Sequence, residues 1–169
     1  MTRSSLLSAF LVLLWLASPV AFASDGPSDV NGEYPAVGAY YEYFVLLPSD
    51  GPPEVILIGS GSEVQLCVAA YEQLKAEGVR PRVVNMPSWE LFERQPKEYR
   101  DAVLPPQVRA RVAVEAGTSL GWREYVGLDG SIIARRDFGA SAPIKDLPKQ
   151  FGFTPERVVA EARSVLGRT

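Results

Sequence analysis

Glu54-Val-Ile-Leu-Ile-Gly-Ser-Gly-Ser-Glu-Val64 is the stretch of sequence that decides the fold. Its apolar run, Val55–Ile58, is rich in β-branched residues, which is typical of a strand buried on both faces of a parallel sheet. Gly59-Ser60-Gly61 ends this strand, and we expect Ser62 to be the N-cap of a helix that ends near Gly78. The apolar residues of that helix recur along one stripe, at Val64, Cys67, Val68, Tyr71 and Leu74. A strand, a glycine turn and a helix are the first half of a βαβ unit.

The rest of the chain repeats this pattern of alternating strands and helices. Further strands are predicted over Ala39–Leu47, Arg82–Asn85, Arg111–Glu115 and Ser131–Ala134. A turn of only six residues, 48–53, joins the first strand to the next. A parallel crossover needs a dozen or more residues, so the first strand is expected to run antiparallel at the sheet edge. Helical segments are predicted over Trp89–Phe92 with Ser88 as cap, Pro96–Val103, Trp122–Val126, Pro143–Phe151, and from Pro155 with Thr154 as cap.

The composition indicates one globular domain and argues against several classes of function. The chain has 169 residues, of which 47% are hydrophobic and 22% charged, and this is enough for a sizeable core. The net charge is −3 and no basic cluster occurs, so nucleic-acid binding is not expected. The single cysteine, Cys67, lies on the apolar stripe of the first helix, where a core residue is expected rather than a nucleophile.

The N-terminal residues have the layout of a secretory signal peptide over Met1–Ala23. Arg3 supplies a positive charge, Leu6–Leu16 is an apolar run, and Ala21-Phe-Ala23 is an A-x-A cleavage site. An uncleaved anchor is disfavoured because the run is shorter than the roughly 20 residues of a membrane span. Ser24–Gly38, rich in Gly, Pro, Ser and Asp, is expected to be a flexible leader. The sequence therefore predicts a secreted or periplasmic protein without a stable membrane span after cleavage.

Few residues could carry chemistry. The chain has no histidine and one cysteine, which excludes the usual nucleophile–base pair and a zinc site. Backbone N–H groups at a helix start attract anions, but Val64 occupies the third glycine position of the G-x-G-x-x-G fingerprint. Glu115 ends a strand, where open α/β sheets place ligands. We predict no catalytic, cofactor-binding or metal-binding residue. The candidate anion or ligand crevice is Ser60, Gly61, Ser62 and Glu115, and the alternative is a tight turn before a capped helix.

Seven motifs, in order and at family-like spacing, give the chain a resemblance to a known family. They are Val55–Val64, Arg82–Phe92, Tyr99–Pro105, Ala110–Gly117, Tyr125–Gly130, Phe138–Pro143 and Phe151–Thr154. Together they resemble the C-terminal domain of transketolase, a thiamine-diphosphate enzyme of the pentose phosphate pathway. The resemblance spans about Tyr40 to Leu166 and assigns 39–169 to this domain. It implies an α/β fold, a three-layer α/β/α sandwich with a five-stranded mixed sheet whose first strand is antiparallel.

The same resemblance implies a function for the domain. In transketolases the thiamine diphosphate, its divalent metal and the sugar phosphate are held by two domains N-terminal to this one, so no catalytic residue is carried over here. The expected role is a non-catalytic packing or assembly module that is inactive alone and binds no cofactor itself. The alternatives are part of an active split transketolase with its cofactor domains on another chain, or an exported small-ligand-binding domain.

The expected partners are the missing transketolase domains or further copies of the chain. Surface that packs in the family would be exposed in an isolated domain, so self-association is expected. The aromatic residues to which we assign this surface are Tyr40, Tyr41, Tyr43 and Phe44 on the edge strand and Trp89 and Trp122 in loops. Alternation along the edge strand allows only half of its set to enter the core.

Overall fold

The computed structural model describes residues 44–135 and 151–168. The described strands are β1 (Val45–Leu47), β2 (Val55–Gly59), β3 (Pro81–Asn85), β4 (Arg111–Thr118) and β5 (Ser131–Arg135). The described helices are α1 (Val64–Ala76), preceded by a 3₁₀ turn at Gly61–Glu63, α2 (Trp89–Glu93), α3 (Lys97–Val103), α4 (Arg123–Val126) and α5 (Pro155–Val165).

The five strands form one mixed sheet in the order β1-β3-β2-β4-β5. β2 is central and pairs in parallel with β3 and β4, and β5 pairs in parallel with β4. β1 pairs antiparallel with β3, with Val45 opposite Val84. The predicted strand count and the antiparallel edge strand are confirmed. The predicted first strand began at Ala39, and residues 39–43 lie outside the described part, as does most of the helix predicted over Pro143–Phe151.

One face of the sheet packs against α1 and α5. The strand residues on this face, all fully buried or nearly so, are Val55, Leu57, Val83, Val112, Val114 and Ile133. They meet Cys67, Ala70, Tyr71 and Leu74 of α1 and Val158, Val159 and Ala162 of α5. Fully burying a Val, Leu or Ile side chain stabilises a fold by about 1.5–3 kcal/mol, so this layer supplies much of the driving force. The predicted apolar stripe of α1 is confirmed at Cys67, Tyr71 and Leu74.

The opposite face is covered by the short helices α2, α3 and α4, which two arginines attach to the sheet. Arg82 of β3 donates from Nη1 to the carbonyls of Ala102 and Val103 at 2.7 and 3.0 Å, at the C-terminal end of α3. Arg111 of β4 donates to four backbone carbonyls, those of Leu104, Pro105, Val108 and Tyr125. A cation is favourable at a helix C-terminus because it offsets the negative end of the dipole. The predicted three-layer α/β/α sandwich is therefore confirmed.

Two of the three predicted helix caps are confirmed. The Ser88 hydroxyl accepts from the Leu91 N–H, and the Thr154 hydroxyl accepts from the Arg157 N–H. Ser62 is not the N-cap of α1, contrary to the prediction, because it lies inside the 3₁₀ turn that precedes that helix. Its hydroxyl donates to the carboxylate of Glu63 at 2.6 Å instead of capping a backbone N–H.

Candidate functional site

The predicted crevice residues Ser60 and Glu115 lie together at the carboxyl edge of the sheet. β2 and β4 are parallel neighbours, with Gly59 opposite Val114. Ser60, the residue after β2, therefore lies beside Glu115 of β4. The chain passes from β2 to β3 on one side and later to β4 on the other. This reversal is the topological switch point at which open α/β sheets bind ligands.

The carboxylate of Glu115 is held by two donors from the protein itself. Ser60 Oγ donates to Oε2 at 2.9 Å, and the backbone N–H of Gly117 donates to Oε1 at 2.8 Å. The bond from Ser60 joins residues 55 positions apart in sequence and ties the end of β2 to the end of β4. These two bonds fix the orientation of the Glu115 carboxylate, and each oxygen keeps a second lone pair that can accept from another donor.

Gly59 allows α1 to begin directly above the end of β2. A Cβ at this position would lie 3.1 Å from Cys67 Sγ and 3.2 Å from the backbone N and Cα of Val64. Such distances are shorter than an ordinary van der Waals contact, so a larger residue would push the helix away from the strand. The glycine of the deciding stretch therefore sets the spacing between strand and helix.

Cys67 is a core residue and not a nucleophile. It is fully buried on α1, and burial, aided by the negative charge of Glu63, raises the pKa of its thiol to about 12. The reactive form of cysteine is the thiolate, which is scarce at neutral pH when the pKa is that high. The structure thus agrees with the expectation drawn from the apolar stripe.

The remaining crevice residues form an exposed turn. Gly61 adopts φ +52, a left-handed conformation that suits glycine, and nothing lies within 4 Å of a Cβ built there. Ser62 is bound to Glu63, whose carboxylate stands in the first turn and repels anions. The carboxylates of Glu63 and Glu115 therefore make this edge of the sheet acidic. Among residues 44–135 and 151–168, no group of three or more His, Cys, Asp or Glu side chains could hold a metal ion.

A groove of about 330 Å³ lies at the other edge of the sheet, where α1 and α5 end. It is lined by Glu77, Val79, Arg163 and Arg168. Both arginines are engaged in ion pairs: Arg163 donates to both oxygens of Glu77, and Arg168 donates to Glu54. The contact with Arg163 holds the pKa of the Glu77 carboxyl below its ordinary value. These ion pairs join the ends of α1 and α5, and both arginines that line the groove among the described residues are paired with carboxylates.

The exposed apolar surface is not where the aromatic pattern predicted it. Phe44 is fully buried and Trp122 is 1% exposed, so the prediction for these two residues is wrong; residues 40–43 lie outside the described part. Both rings enter an aromatic cluster under α2–α4, in which Phe44 lies 5.3 Å from Phe92 and Trp122 lies 5.3 Å from Trp89 between ring centroids. Edge-to-face pairs of this kind add about 0.5–1.5 kcal/mol beyond their burial.

Sequence reasoning missed the large hydrophobic side chains that the described surface does expose. They are Leu46, Leu91, Leu120 and Leu128, with 44%, 38%, 78% and 90% of their area exposed. Leu91 belongs to α2, and Leu120 and Leu128 lie in the loops on either side of α4. Lone leucines in loops carry no periodic signal, so a pattern of residues could not have identified Leu120 and Leu128.

Comparison with known proteins agrees with this architecture. A protein-family model described as "Transketolase-like TK C-terminal domain" matches residues 39–154. Transketolase 1 of Escherichia coli (strain K12) is 54% identical over 123 residues, which are 73% of this chain and 19% of that protein. The solved transketolase from Leishmania mexicana superposes with a TM-score of 0.69 at 38% identity, covering 79% of this chain and 19% of that one.

A more distant likeness shows the fold alone. A solved chain described as "Split gene transketolase, inactive beta4 tetramer" superposes with a TM-score of 0.56 at 21% identity, covering 73% of this chain and 41% of that one. The chain spans about a fifth of the length of the curated transketolases that it matches. The 169-residue chain belongs to the transketolase family and carries the C-terminal domain of that family.

Proposed function

We propose that this domain is a packing and assembly module of a thiamine-diphosphate-dependent ketol transferase, and that it does no chemistry by itself. The carrying observation is the state of its best-placed carboxylate. Glu115 stands at the switch point of the sheet, yet both of its oxygens accept bonds from Ser60 and Gly117. These bonds hold the end of β2 to β4, and the chain has no histidine to pair with Glu115 as an acid or base.

The residues of the described part do not fit thiamine diphosphate with a divalent metal. A diphosphate-bound cation needs oxygen ligands in a cluster, and no group of three candidate side chains occurs in residues 44–135 and 151–168. The acidic edge of Ser60–Glu63 and Glu115 would also repel a diphosphate. In the relatives, the cofactor, its metal and the sugar phosphate would then be held by the domains that this domain accompanies.

Calorimetry tests this part of the proposal. Titrating the purified chain with thiamine diphosphate and Mg²⁺ is expected to give no heat of binding, and xylulose 5-phosphate is expected not to be turned over. Saturable binding or turnover by the chain alone would refute the non-catalytic role. Near-UV circular dichroism must show that the titrated protein is folded, so that an absence of heat reflects the native domain.

Two other functions lead to different results. As one half of a split transketolase, the chain would restore ketol transfer when it is mixed with a separate polypeptide that carries the cofactor domains. As an exported ligand-binding domain, it would bind small anions at Ser60, Gly61, Ser62 and Glu115, and Ser60→Ala would weaken that binding. A thermal-shift series with inorganic phosphate and sugar phosphates separates the second of these from the packing role.

The cellular localisation of the protein is a separate proposal that rests on the N-terminal sequence. Met1–Ala23 is proposed to be a signal peptide cleaved after Ala23, with Ser24–Gly38 as a leader and 39–169 as the domain, which would place the mature chain outside the cytoplasm. Within the described residues, no helix is long and apolar enough to cross a membrane. N-terminal sequencing of the protein from its native host decides the matter: Ser24 is expected, and an intact Met1 would contradict the proposal.

A further inference from the structure

Two Asp-Gly sequences in the described part of the chain have very different surroundings. Asp50-Gly51 lies in the turn 48–53 between β1 and β2, and Asp129-Gly130 lies between α4 and β5. In such a sequence the backbone nitrogen of the glycine can attack the side-chain carboxyl group of the aspartate, because glycine has no Cβ to obstruct the approach. The folded structure then decides which of the two sequences is free to react.

Asp50-Gly51 is open to water. The Asp50 side chain is 76% exposed, and no atom of the described residues lies within 4 Å of a Cβ built on Gly51, its chain neighbours aside. Gly51 has a φ of +88, which glycine adopts without strain. Its N–H donates no hydrogen bond to residues 44–135 or 151–168. The attacking nitrogen therefore gives up no contact when it reacts.

The contacts of this turn leave the reacting atoms accessible. Ser49 Oγ donates to the Gly51 carbonyl at 2.6 Å, a bond that engages the oxygen of Gly51 and not its nitrogen. Lys75 Nζ lies 3.0 Å from Asp50 Oδ2 and holds the carboxylate. Because both side chains of this pair are exposed, water and salt weaken the contact and the carboxylate can leave it.

Asp129-Gly130 is confined by the fold. A Cβ on Gly130 would lie 2.4 Å from the carbonyl oxygen of Val126 and 2.8 Å from that of Arg111, so the backbone is packed between α4 and β4. The Gly130 carbonyl also accepts from Arg123 Nη1 at 3.0 Å. Ring closure requires the glycine nitrogen and the preceding peptide to rotate toward the side chain, and this packing opposes the rotation.

We propose that Asp50 is a site of spontaneous isomerisation to isoaspartate in the folded domain, and that Asp129 reacts more slowly. The Gly51 nitrogen forms a bond to Cγ of Asp50, and its proton leaves with the carboxyl hydroxyl as water, which gives a five-membered succinimide. Addition of water at Cγ restores aspartate. Addition at the backbone carbonyl carbon breaks the bond from that carbon to the Gly51 nitrogen, so the chain then runs through the side chain. No oxidant or reductant takes part, and isoaspartate has the mass of aspartate.

The fold can accept the product at this position. Tyr71 Oη donates to the carbonyl of Pro48 at 2.9 Å, and Arg80 Nε donates to that of Pro52 at 3.0 Å, so the turn is anchored on both sides of Asp50. Isoaspartate adds one carbon to the main chain between these anchors. Because the tip of the turn is exposed, the longer chain can bulge into water while β1 and β2 keep their places.

The test ages the full chain in its folded state at pH 6 and 37 °C, with near-UV circular dichroism to show that it stays folded. Samples are then unfolded and digested with Asp-N protease, which cleaves before aspartate but not before isoaspartate. Cleavage before Asp50 is expected to decline at least about threefold faster than cleavage before Asp129, a ratio that needs only a small difference in barrier. Cleavage before Asp101, which alanine follows, is the internal reference.

The same ageing in guanidinium separates the fold from the local sequence. Without the packing around Gly130, the two rates are expected to agree within about twofold, since both sites then have a flexible glycine. A ratio that is the same in the folded and the unfolded chain would show that the fold does not select Asp50. Cleavage before Asp50 that persists as it does before Asp101, or that declines no faster than before Asp129, would also overturn the proposal.

A matched pair of variants identifies the site independently. Asp50→Glu and Asp129→Glu each keep the charge, but glutamate must close a larger ring and reacts more slowly. After ageing, an isoaspartyl methyltransferase with labelled S-adenosylmethionine counts the isoaspartate in each chain. Asp25-Gly26 and Asn31-Gly32, outside the described residues, contribute equally to both variants. Asp50→Glu is expected to lower the label and Asp129→Glu to leave it unchanged, and the reverse result would refute the assignment.

Discussion

Replacing Arg111 by methionine is expected to destabilise the domain by about 3 kcal/mol. The guanidinium donates four hydrogen bonds of 2.7–3.1 Å to carbonyls, which tie the loop after α3 and the end of α4 to the first residue of β4. A hydrogen bond contributes roughly 0.5–1.5 kcal/mol net to the free energy of unfolding. A carbonyl that loses its donor adds a similar penalty only if water cannot reach it. Four such bonds would contribute about 2–6 kcal/mol. Because Arg111 is half-buried, some of the carbonyls would be rehydrated, and we therefore expect a value in the lower half of that range.

The methionine keeps an apolar stem of similar length, so the variant removes the donors with little loss of packing. Urea unfolding followed by tryptophan fluorescence measures the change in the free energy of unfolding. In a chain of this size, about 3 kcal/mol corresponds to a fall of about 6–12 °C in the melting temperature. Arg111→Lys, with a single ammonium that cannot reach all four carbonyls, is expected to lie between the native chain and the methionine variant.

Arg109 provides the matched control for this prediction. It lies two residues before Arg111, carries the same charge, and pairs with Asp129 at the surface, where its side chain is 74% exposed. Exposed ion pairs are worth about 0–1 kcal/mol, so Arg109→Met should change stability by less than about 1 kcal/mol. Equal effects of the two substitutions, or a loss below about 1 kcal/mol for Arg111→Met, would show that the four carbonyl contacts do not hold this layer of the fold.

Three further predictions concern single residues. Burial raises the pKa of the Cys67 thiol to about 12. The thiol should therefore not react with a disulfide reagent at pH 8 in the folded chain, and it should react once per chain in guanidinium. Prompt reaction of the native protein would contradict its burial. The hydrogen bond from Arg163 lowers the pKa of Glu77, so this pair stabilises the fold at pH 7. The contribution is lost as the pH falls through the folded-state pKa, which lies below the ordinary value of about 4.5. Glu77→Gln should reduce the difference between the free energies of unfolding at pH 7 and pH 3, and an unchanged difference would exclude the pair as a contributor. Gly121→Ala should lower the free energy of unfolding by about 2–4 kcal/mol, because its φ of +86 disfavours any side chain and the new Cβ would overlap the Trp89 ring. The near-UV circular dichroism should change as well. A stability equal to that of the native chain would mean that the ring moves aside freely.

The fold could be predicted from local sequence because its signals are local. The apolar run Val55–Ile58, the turn at Gly59 and the stripe of α1 each lie within a few residues, and a six-residue turn is too short for anything but an antiparallel edge strand. Helix caps were predictable at Ser88 and Thr154 for the same reason. The prediction that Ser62 caps α1 was wrong because a 3₁₀ turn precedes that helix. Only the backbone geometry distinguishes this turn from the first turn of a helix.

The candidate site could be predicted only in part. The sequence placed Ser60 and Glu115 at the C-terminal ends of two parallel strands, and such ends lie at one edge of the sheet. That the two strands are neighbours was shown only by the structure. The sequence could not show that the two side chains bond to each other across 55 residues, or that Gly117 takes the second oxygen, since those contacts depend on the register between β2 and β4. The two bonds fix the orientation of the Glu115 carboxylate and tie the end of β2 to β4.

What the sequence by itself determined is the class of fold, the family and the order of the elements, since these follow from periodicity, turn residues and motif spacing. The tertiary structure alone decided which apolar residues meet water. Trp122 and Phe44 are buried because helices distant in sequence close over them, while Leu120 and Leu128 are exposed because their loops pass outside that layer. Burial depends on how the layers of the fold pack together, so the residues adjacent in sequence do not determine it.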